Sequence, residues 1–147
     1  MMYPEPLLIP MRQELTRLGI EELRTAAAVD ERLVNQHGTA MVVVNSVCGC
    51  AARNARPAVA MAMAHAVKPD VNATVFAGQD VAATERAREL FVGYPPSSPS
   101  IALMKDGDVV FMLPRHRIEG RSAQEIAADL TSAFDRYCAP SPTAATV

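Results

Sequence analysis

The run Ala40-Met41-Val42-Val43-Val44-Asn45 constrains this chain most. Three successive valines favour extended backbone, and an apolar stretch without alternation is hidden from water only when both of its faces are covered. It is therefore expected to be a central strand with helices on either side. It runs through Ser46-Val47 directly into Cys48-Gly49-Cys50, and then into Ala51 to Val67, which is rich in Ala and Met. That segment lacks strand alternation and reads as a buried helix. Strand, cysteine pair and helix in direct succession place the thiols at the start of a helix.

The rest of the chain supplies neighbours for that strand. Ile9, Met11, Leu15 and Leu18 have helical spacing, with Gly19 as a stop. A second helix is expected after Thr25, through Val29, Leu33 and Val34, ending before Gly38. Val71 to Ala77 reads as a strand, and Asp80 is expected to cap a helix through Leu90 and Phe91. Ser100 to Met104 and Val109 to Leu113 flank Lys105-Asp106-Gly107-Asp108 as a hairpin. Ser122 and Glu125 form a capping box for a last helix carrying Ile126, Leu130 and Phe134 on one face. A βαβ unit joined to a hairpin and a final helix predicts an α/β, thioredoxin-like fold. Its central mixed sheet would have about four strands flanked by helices, with an N-terminal helical extension. The chain has 147 residues, half of them hydrophobic, which suits one core. A single domain is expected over 1–138, and the Pro-bearing tail 139–147 is expected to be disordered.

A net charge of −2, with no run of like charges, argues against a nucleic-acid partner. The apolar stretches are too short to span a bilayer, so no membrane partner is expected. Met1 to Met11 contains Glu5, Pro4, Pro6 and Pro10 and does not resemble a secretory signal. The expected compartment is thus the cytoplasm, where thiols are kept reduced. Three cysteines is an odd number and does not describe a disulfide scaffold.

Disulfide exchange needs a thiolate, whereas an ordinary thiol is mostly protonated at neutral pH. At a helix N-terminus, unpaired N–H groups and the helix dipole favour negative charge on Cys48. Gly49 would allow a tight turn, and Cys50 would lie close enough to resolve a mixed disulfide on Cys48. A Cys-x-Cys disulfide closes a smaller ring than Cys-x-x-Cys, so the pair is expected to be more oxidising than a relaxed one. The blander reading is two buried cysteines at a strand end. A rival from another class is a module that holds copper or zinc between the two thiolates. Against it, His37, His65, His116 and Cys138 have no ligand spacing relative to the pair. The expectation is therefore no metal site and no tightly bound cofactor.

These residues resemble the bacilliredoxins, thioredoxin-like bacterial proteins that use bacillithiol. The likeness is carried by Val43-Val44-Asn45-Ser46-Val47-Cys48-Gly49-Cys50-Ala51-Ala52 and Ala55-Arg56-Pro57. It extends to Val75-Phe76-Ala77-Gly78-Gln79-Asp80, Pro96-Ser97-Ser98-Pro99-Ser100, Pro114-Arg115-His116 and Ile118-Glu119-Gly120. Pro10-Met11-Arg12 and Glu14-Leu15-Thr16 also fit, so it covers the chain up to Cys138. The resemblance implies removal of bacillithiol from mixed disulfides on client proteins, with bacillithiol as thiol co-substrate. Members have also been regarded as disulfide isomerases, and a general disulfide reductase is a related alternative. By position, Cys48 would accept the bacillithiolyl group and Cys50 would be the resolving thiol. The resemblance and the composition leave the oligomeric state undetermined.

Several residues could support this chemistry. Pro99 precedes a core strand, as the cis-proline of thioredoxin-like proteins does. A cis bond there would set the Ser98 backbone opposite Cys48. Pro57 should kink the helix after the cysteines. Arg53 and Arg56 could favour the thiolate or attract an anionic thiol, although solvated surface arginines are the commoner case. His116 could carry protons, but a surface histidine is the simpler reading. Met41-Val42-Val43-Val44 contains no acid, so Asp80 is the candidate for a proton acceptor beneath the cysteines, if one is needed. Tyr94 could contact a client, and Cys138 is expected to have no role.

Overall fold

The computed structural model of the chain describes residues 2–139. The expected valine run is strand β2, Thr39–Asn45, and all seven of its residues are buried. It lies at the centre of a five-stranded sheet with β1 (Glu21–Glu22), β3 (Val71–Phe76), β4 (Ser100–Lys105) and β5 (Asp108–Leu113), in the order β1-β3-β2-β4-β5. β1 and β2 run parallel to β3, whereas β4 runs antiparallel to both β2 and β5. The sheet thus has one strand more than expected. β1 is two residues of glutamate, a composition without any strand signal, and it forms because Glu21 and Glu22 pair with Ala73 and Thr74.

Among the described residues, five α-helices complete the fold: α1 (Glu5–Thr16), α2 (Ala26–Leu33), α3 (Arg56–Ala62), α4 (Val81–Leu90) and α5 (Ala123–Tyr137). One core unites Met41, Val43, Ile101 and Leu103 of the sheet with Leu15 of α1, Val59 of α3 and Ile126, Leu130 and Phe134 of α5. The opposite core joins Val42, Val44, Val75 and Ala102 to Val29 and Leu33 of α2 and Ala83 and Ala87 of α4. Alternate residues of β2 therefore feed opposite faces, which is why the run is apolar throughout. The Thr25 side chain caps α2, and Ser122 with Glu125 makes the expected capping box on α5.

Two helices depart from expectation. α1 begins at Glu5, four positions before Ile9, and contains Pro10. Pro6 lies in its first turn, where a missing N–H costs nothing. The helix is anchored along its length by buried Leu8, Arg12 and Leu15. Asp80 occupies the N-cap position of α4, but its side chain makes no capping bond. Its carboxylate binds Arg12 at 2.7 Å and Arg24 at 3.5 Å instead. A charge-assisted bond to a buried guanidinium is stronger than one to a neutral backbone N–H, and the cap is forgone. Among the described residues, no helix is long and apolar enough to cross a membrane. Of the expected tail, only Ala139 falls within the described residues.

Candidate active site

At its C-terminal end β2 stops at Asn45, and a three-residue bend carries the chain across the top of the sheet into a helical turn that starts at Gly49. Cys48 is the last residue before that turn, as the strand–cysteine–helix pattern predicts. The bend is braced from below. Asn45 sends its amide to the Met11 carbonyl at 3.3 Å and accepts the Ser46 N–H at 2.9 Å. Arg56 donates to Asn45 Oδ1 and to the Ser46 carbonyl, each at 2.9 Å, and also pairs with Glu14. Arg56 is 4 % exposed and faces inward. The solvated surface position that is the commoner case for an arginine is thus not the one found: Arg56 holds the bend in shape.

The backbone after Cys50 forms a π-helical turn, Ala51–Ala55, before α3 begins at Arg56. The Arg56 N–H reaches back to the Ala51 carbonyl. The disturbance expected at Pro57 thus takes the form of a widened turn just ahead of it, where Pro57 occupies the first turn of α3 and needs no donor. Gly49 does not have the positive φ that demands glycine, contrary to the tight-turn expectation. A Cβ there would lie 2.7 Å from the end of the exposed Arg53 side chain, which lies over it.

The two thiols are free and half-buried, with their sulfurs 2.9 Å apart. Ser46 Oγ lies 3.1 Å from Cys48 Sγ. Burial by itself works against a charge on Cys48. Hydrogen bonds from Cys50, Ser46 and the Ala51 backbone N–H, together with the Arg115 charge, outweigh it and draw the Cys48 thiol below its ordinary value. Cys50 moves the opposite way: burial raises it, and the hydrogen bond and charge shared with Cys48 raise it further. The pair therefore has one thiol favoured as thiolate and one held as a proton-bearing neighbour. This is the asymmetry that an attacking and a resolving thiol require.

A cleft of about 310 Å³ opens over Cys48, with Ser46, Gln79, Arg88, Ser98 and Arg115 in its wall. The Ser98–Pro99 bond is cis, as expected, and Ser98 shares this wall with Cys48. The Ser98 carbonyl accepts a hydrogen bond from Arg115 at 3.3 Å. Asp80 is not among the groups acting on Cys48, and its carboxylate is occupied by Arg12 and Arg24. His116 is exposed in a short 3-10 turn, Arg115–Arg117, and borders a neighbouring cavity rather than the Cys48 cleft. Cys138 is far removed along β2: it contacts Thr39, the strand's first residue. Among the described residues, no three His, Cys, Asp or Glu side chains converge as metal ligands.

Sequence reasoning singled out neither Ser46 nor Arg115 for the chemistry of the thiol pair. Ser46 is two residues from Cys48, a spacing at which a serine hydroxyl can turn back on its neighbour. Arg115 lies 67 positions beyond Cys48 in the chain, counting from 48 to 115, and only the fold brings them together.

Residues 3–138 match the family described as Disulphide isomerase. A bacilliredoxin of Koribacter versatilis is 60% identical over 137 residues, covering 93% of this chain and 94% of that protein. The chain belongs to the bacilliredoxin family. A bacilliredoxin of Salinibacter ruber is 55% identical over 94% of this chain and 82% of its own, and one of Bacillus licheniformis is 52% identical over 92% and 95%. The fold is also that of the oxidised thioredoxin of Plasmodium falciparum. That match has a TM-score of 0.55 and 19% identity, and covers 82% of this chain and 99% of the other. Family and fold together make the protein a thiol–disulfide oxidoreductase.

Proposed function

We propose that Cys48 is the attacking thiol of this oxidoreductase and that it takes bacillithiol from mixed disulfides on client proteins. The observation that carries the assignment of Cys48 is its sulfur facing the cleft with Ser46 Oγ at 3.1 Å and Cys50 Sγ at 2.9 Å, neighbours that together with the Ala51 N–H and the Arg115 charge favour its thiolate. The identity of the thiol is suggested by relatives that bear the name bacilliredoxin. The Cys48 thiolate attacks the bacillithiol sulfur of the mixed disulfide. A Cys48–bacillithiol disulfide forms, and the client leaves as a thiolate that takes up a proton. Cys50, 2.9 Å away, then loses its proton and attacks Cys48 Sγ. That closes the Cys48–Cys50 disulfide and releases bacillithiol as the reduced thiol. No metal or tightly bound cofactor enters this sequence, and the setting that suits it is a reducing cytoplasm.

The test uses the Cys50→Ala variant with a model protein carrying a bacillithiol mixed disulfide, followed by intact mass. The expected result is an adduct on Cys48 that Cys48→Ser abolishes. Transfer from protein disulfides but not from the bacillithiol adduct would move the role to isomerase, the activity in the matched family's description, or to general reductase. Absence of exchange with any disulfide would sink the assignment of Cys48.

A further inference from the structure

The helix ahead of the sheet is tied to the reactive end of β2 from two sides. Met11 and Glu14 of α1 hold Asn45 and Arg56, the residues that brace the bend. Arg12, between them, reaches the turn that joins β3 to α4. It pairs with Asp80 at 2.7 Å and lies over Phe76, 5.0 Å from the ring centre. The same turn takes the segment that precedes the helix: the Tyr3 N–H donates to Gln79 Oε1 at 2.9 Å. Gln79 and Asp80 thus fasten the N-terminal segment, which accounts for a pair that neither caps α4 nor acts on Cys48.

The consequence is a cleft with one wall supplied from ahead of α1. Tyr3 lines the hollow of about 310 Å³ over Cys48, where Ser46, Val47, Ala77, Gly78 and Ser98 otherwise offer only short side chains. A small thiol is contained by a hollow of that size. The Tyr3 side of it continues outwards as apolar surface. Tyr3 is 43 % exposed, its neighbour Met2 66 %, and Leu7, in the first turn of α1, 57 %. Met2 and Leu7 do not line the hollow, so only a partner larger than its contents reaches them. Single exposed apolar side chains need no explanation, but a group of them beside a reactive thiol marks a surface that another molecule covers.

The geometry points to Tyr3 as a docking residue for the client polypeptide: its ring, with Met2 and Leu7 alongside, packs on apolar surface next to the client's modified cysteine. This rests on Cys48 being the attacking thiol. A tyrosine suits the use, because it covers much area for the ordering of two side-chain torsions, and the bond to Gln79 has already fixed its backbone. Tyr3 holds the client and takes no part in bond making. In the step it assists, the Cys48 thiolate attacks the small-thiol sulfur of the mixed disulfide. A Cys48–small-thiol disulfide forms, the bond to the client breaks, and the client leaves as a thiolate that takes up a proton.

The experiment gives the Cys50→Ala protein two substrates that leave the same adduct on Cys48. One is a model protein with mercaptoethanol disulfide-bonded to a cysteine among apolar surface residues. The other is the small symmetrical disulfide of mercaptoethanol. Adduct formation is followed by intact mass. Tyr3→Ala should lower the ratio of the protein rate to the small-disulfide rate about tenfold, the size expected for removing a half-exposed ring from a contact. Tyr3→Phe should keep the ratio, because the ring makes the contact. Taking the ratio cancels any general loss of activity. The pH midpoint of Cys48 alkylation should stay in place in Tyr3→Ala, because Tyr3 is not among the groups acting on that thiol. A second readout needs no substitution at Tyr3. With the Cys50→Ala protein joined through Cys48 to the model protein, Tyr3 should resist acetylation by N-acetylimidazole. With mercaptoethanol on Cys48 instead, it should react.

An unchanged ratio in Tyr3→Ala would overturn the docking role, and so would equal acetylation of Tyr3 in the two adducts. Equal losses with both substrates and a displaced midpoint would overturn it as well, leaving Tyr3 as part of the scaffold. Failure of both substrates to modify Cys48 would instead strike the assignment of the attacking thiol, on which the docking role depends.

Discussion

Cys48 and Cys138 are both half-buried thiols, and they belong to opposite ends of the same strand. At the Cys138 end, the polar groups satisfy one another. Asp70 accepts hydrogen bonds from the Thr39 N–H at 2.9 Å and the Thr39 hydroxyl at 3.2 Å, and Asp106 accepts the Gly38 N–H at 2.7 Å. Cys138 sits against this closed set. Burial raises its thiol most, the Thr39 hydrogen bond works against that, and the Asp70 charge adds to the rise while Lys105 opposes it least. At the Cys48 end, the chain leaves the sheet and turns into a helix, and hydroxyl, thiol, backbone N–H and guanidinium all converge on one sulfur. Burial opposes the thiolate at both ends. What separates them is the sign and number of the neighbours, so partial burial alone is a poor guide to a reactive cysteine.

The largest expected effect tests this contrast directly. Cys48→Ser should lower the rate of disulfide exchange by more than about a thousandfold, as loss of a nucleophile does. Cys138→Ser should leave that rate unchanged, and equal losses from the two would erase the distinction. Next comes the scaffold of the Cys48 end. Arg56→Ala removes the bonds to Asn45 and the Ser46 carbonyl and should destabilise the fold by about 2 kcal/mol in denaturant unfolding. A variant as stable as the parent would show that the bend holds without its brace.

Titration sharpens the comparison further. The thiolate is the species that alkylates, so a lowered Cys48 moves its rate–pH midpoint below that of the denatured chain, and a raised Cys138 moves above it. Arg115→Gln and Ser46→Ala should each shift the Cys48 midpoint upward. Asp70→Asn should shift that of Cys138 downward, so the two thiols converge from opposite sides. Midpoints that stay put in these variants would remove the electrostatic account. The smallest effect is expected from Gly49→Ala. The new methyl meets only the end of the mobile Arg53 side chain, so stability should change by no more than about 0.5 kcal/mol. A much larger loss would mean that the bend does need glycine.

Much of this molecule is legible from local pattern. The valine run announced a strand covered on both faces, the Ser122–Glu125 pair marked the start of α5, and the placement of Cys48 at a helix start follows from strand and helix signals in succession. Each depends on residues a few positions apart, whose interactions are set by backbone geometry alone. The same logic failed for Asp80 and Arg56. As local signals, the first read as a cap and the second as a surface charge. In the folded chain each forms a pair with a side chain from α1: Asp80 with Arg12, Arg56 with Glu14.

Family membership and the cysteine pair could thus be read from the order of residues. What surrounds the pair beyond its own segment was decided by the tertiary structure. Arg115 and Arg88 come from β5's far end and from α4, and only sheet order β3-β2-β4-β5 gathers them around the end of β2. Charge acts through space with little regard for sequence separation, so the Arg115 contribution to Cys48 belongs to the fold, whereas those of Cys50, Ser46 and Ala51 belong to the motif and its immediate neighbours.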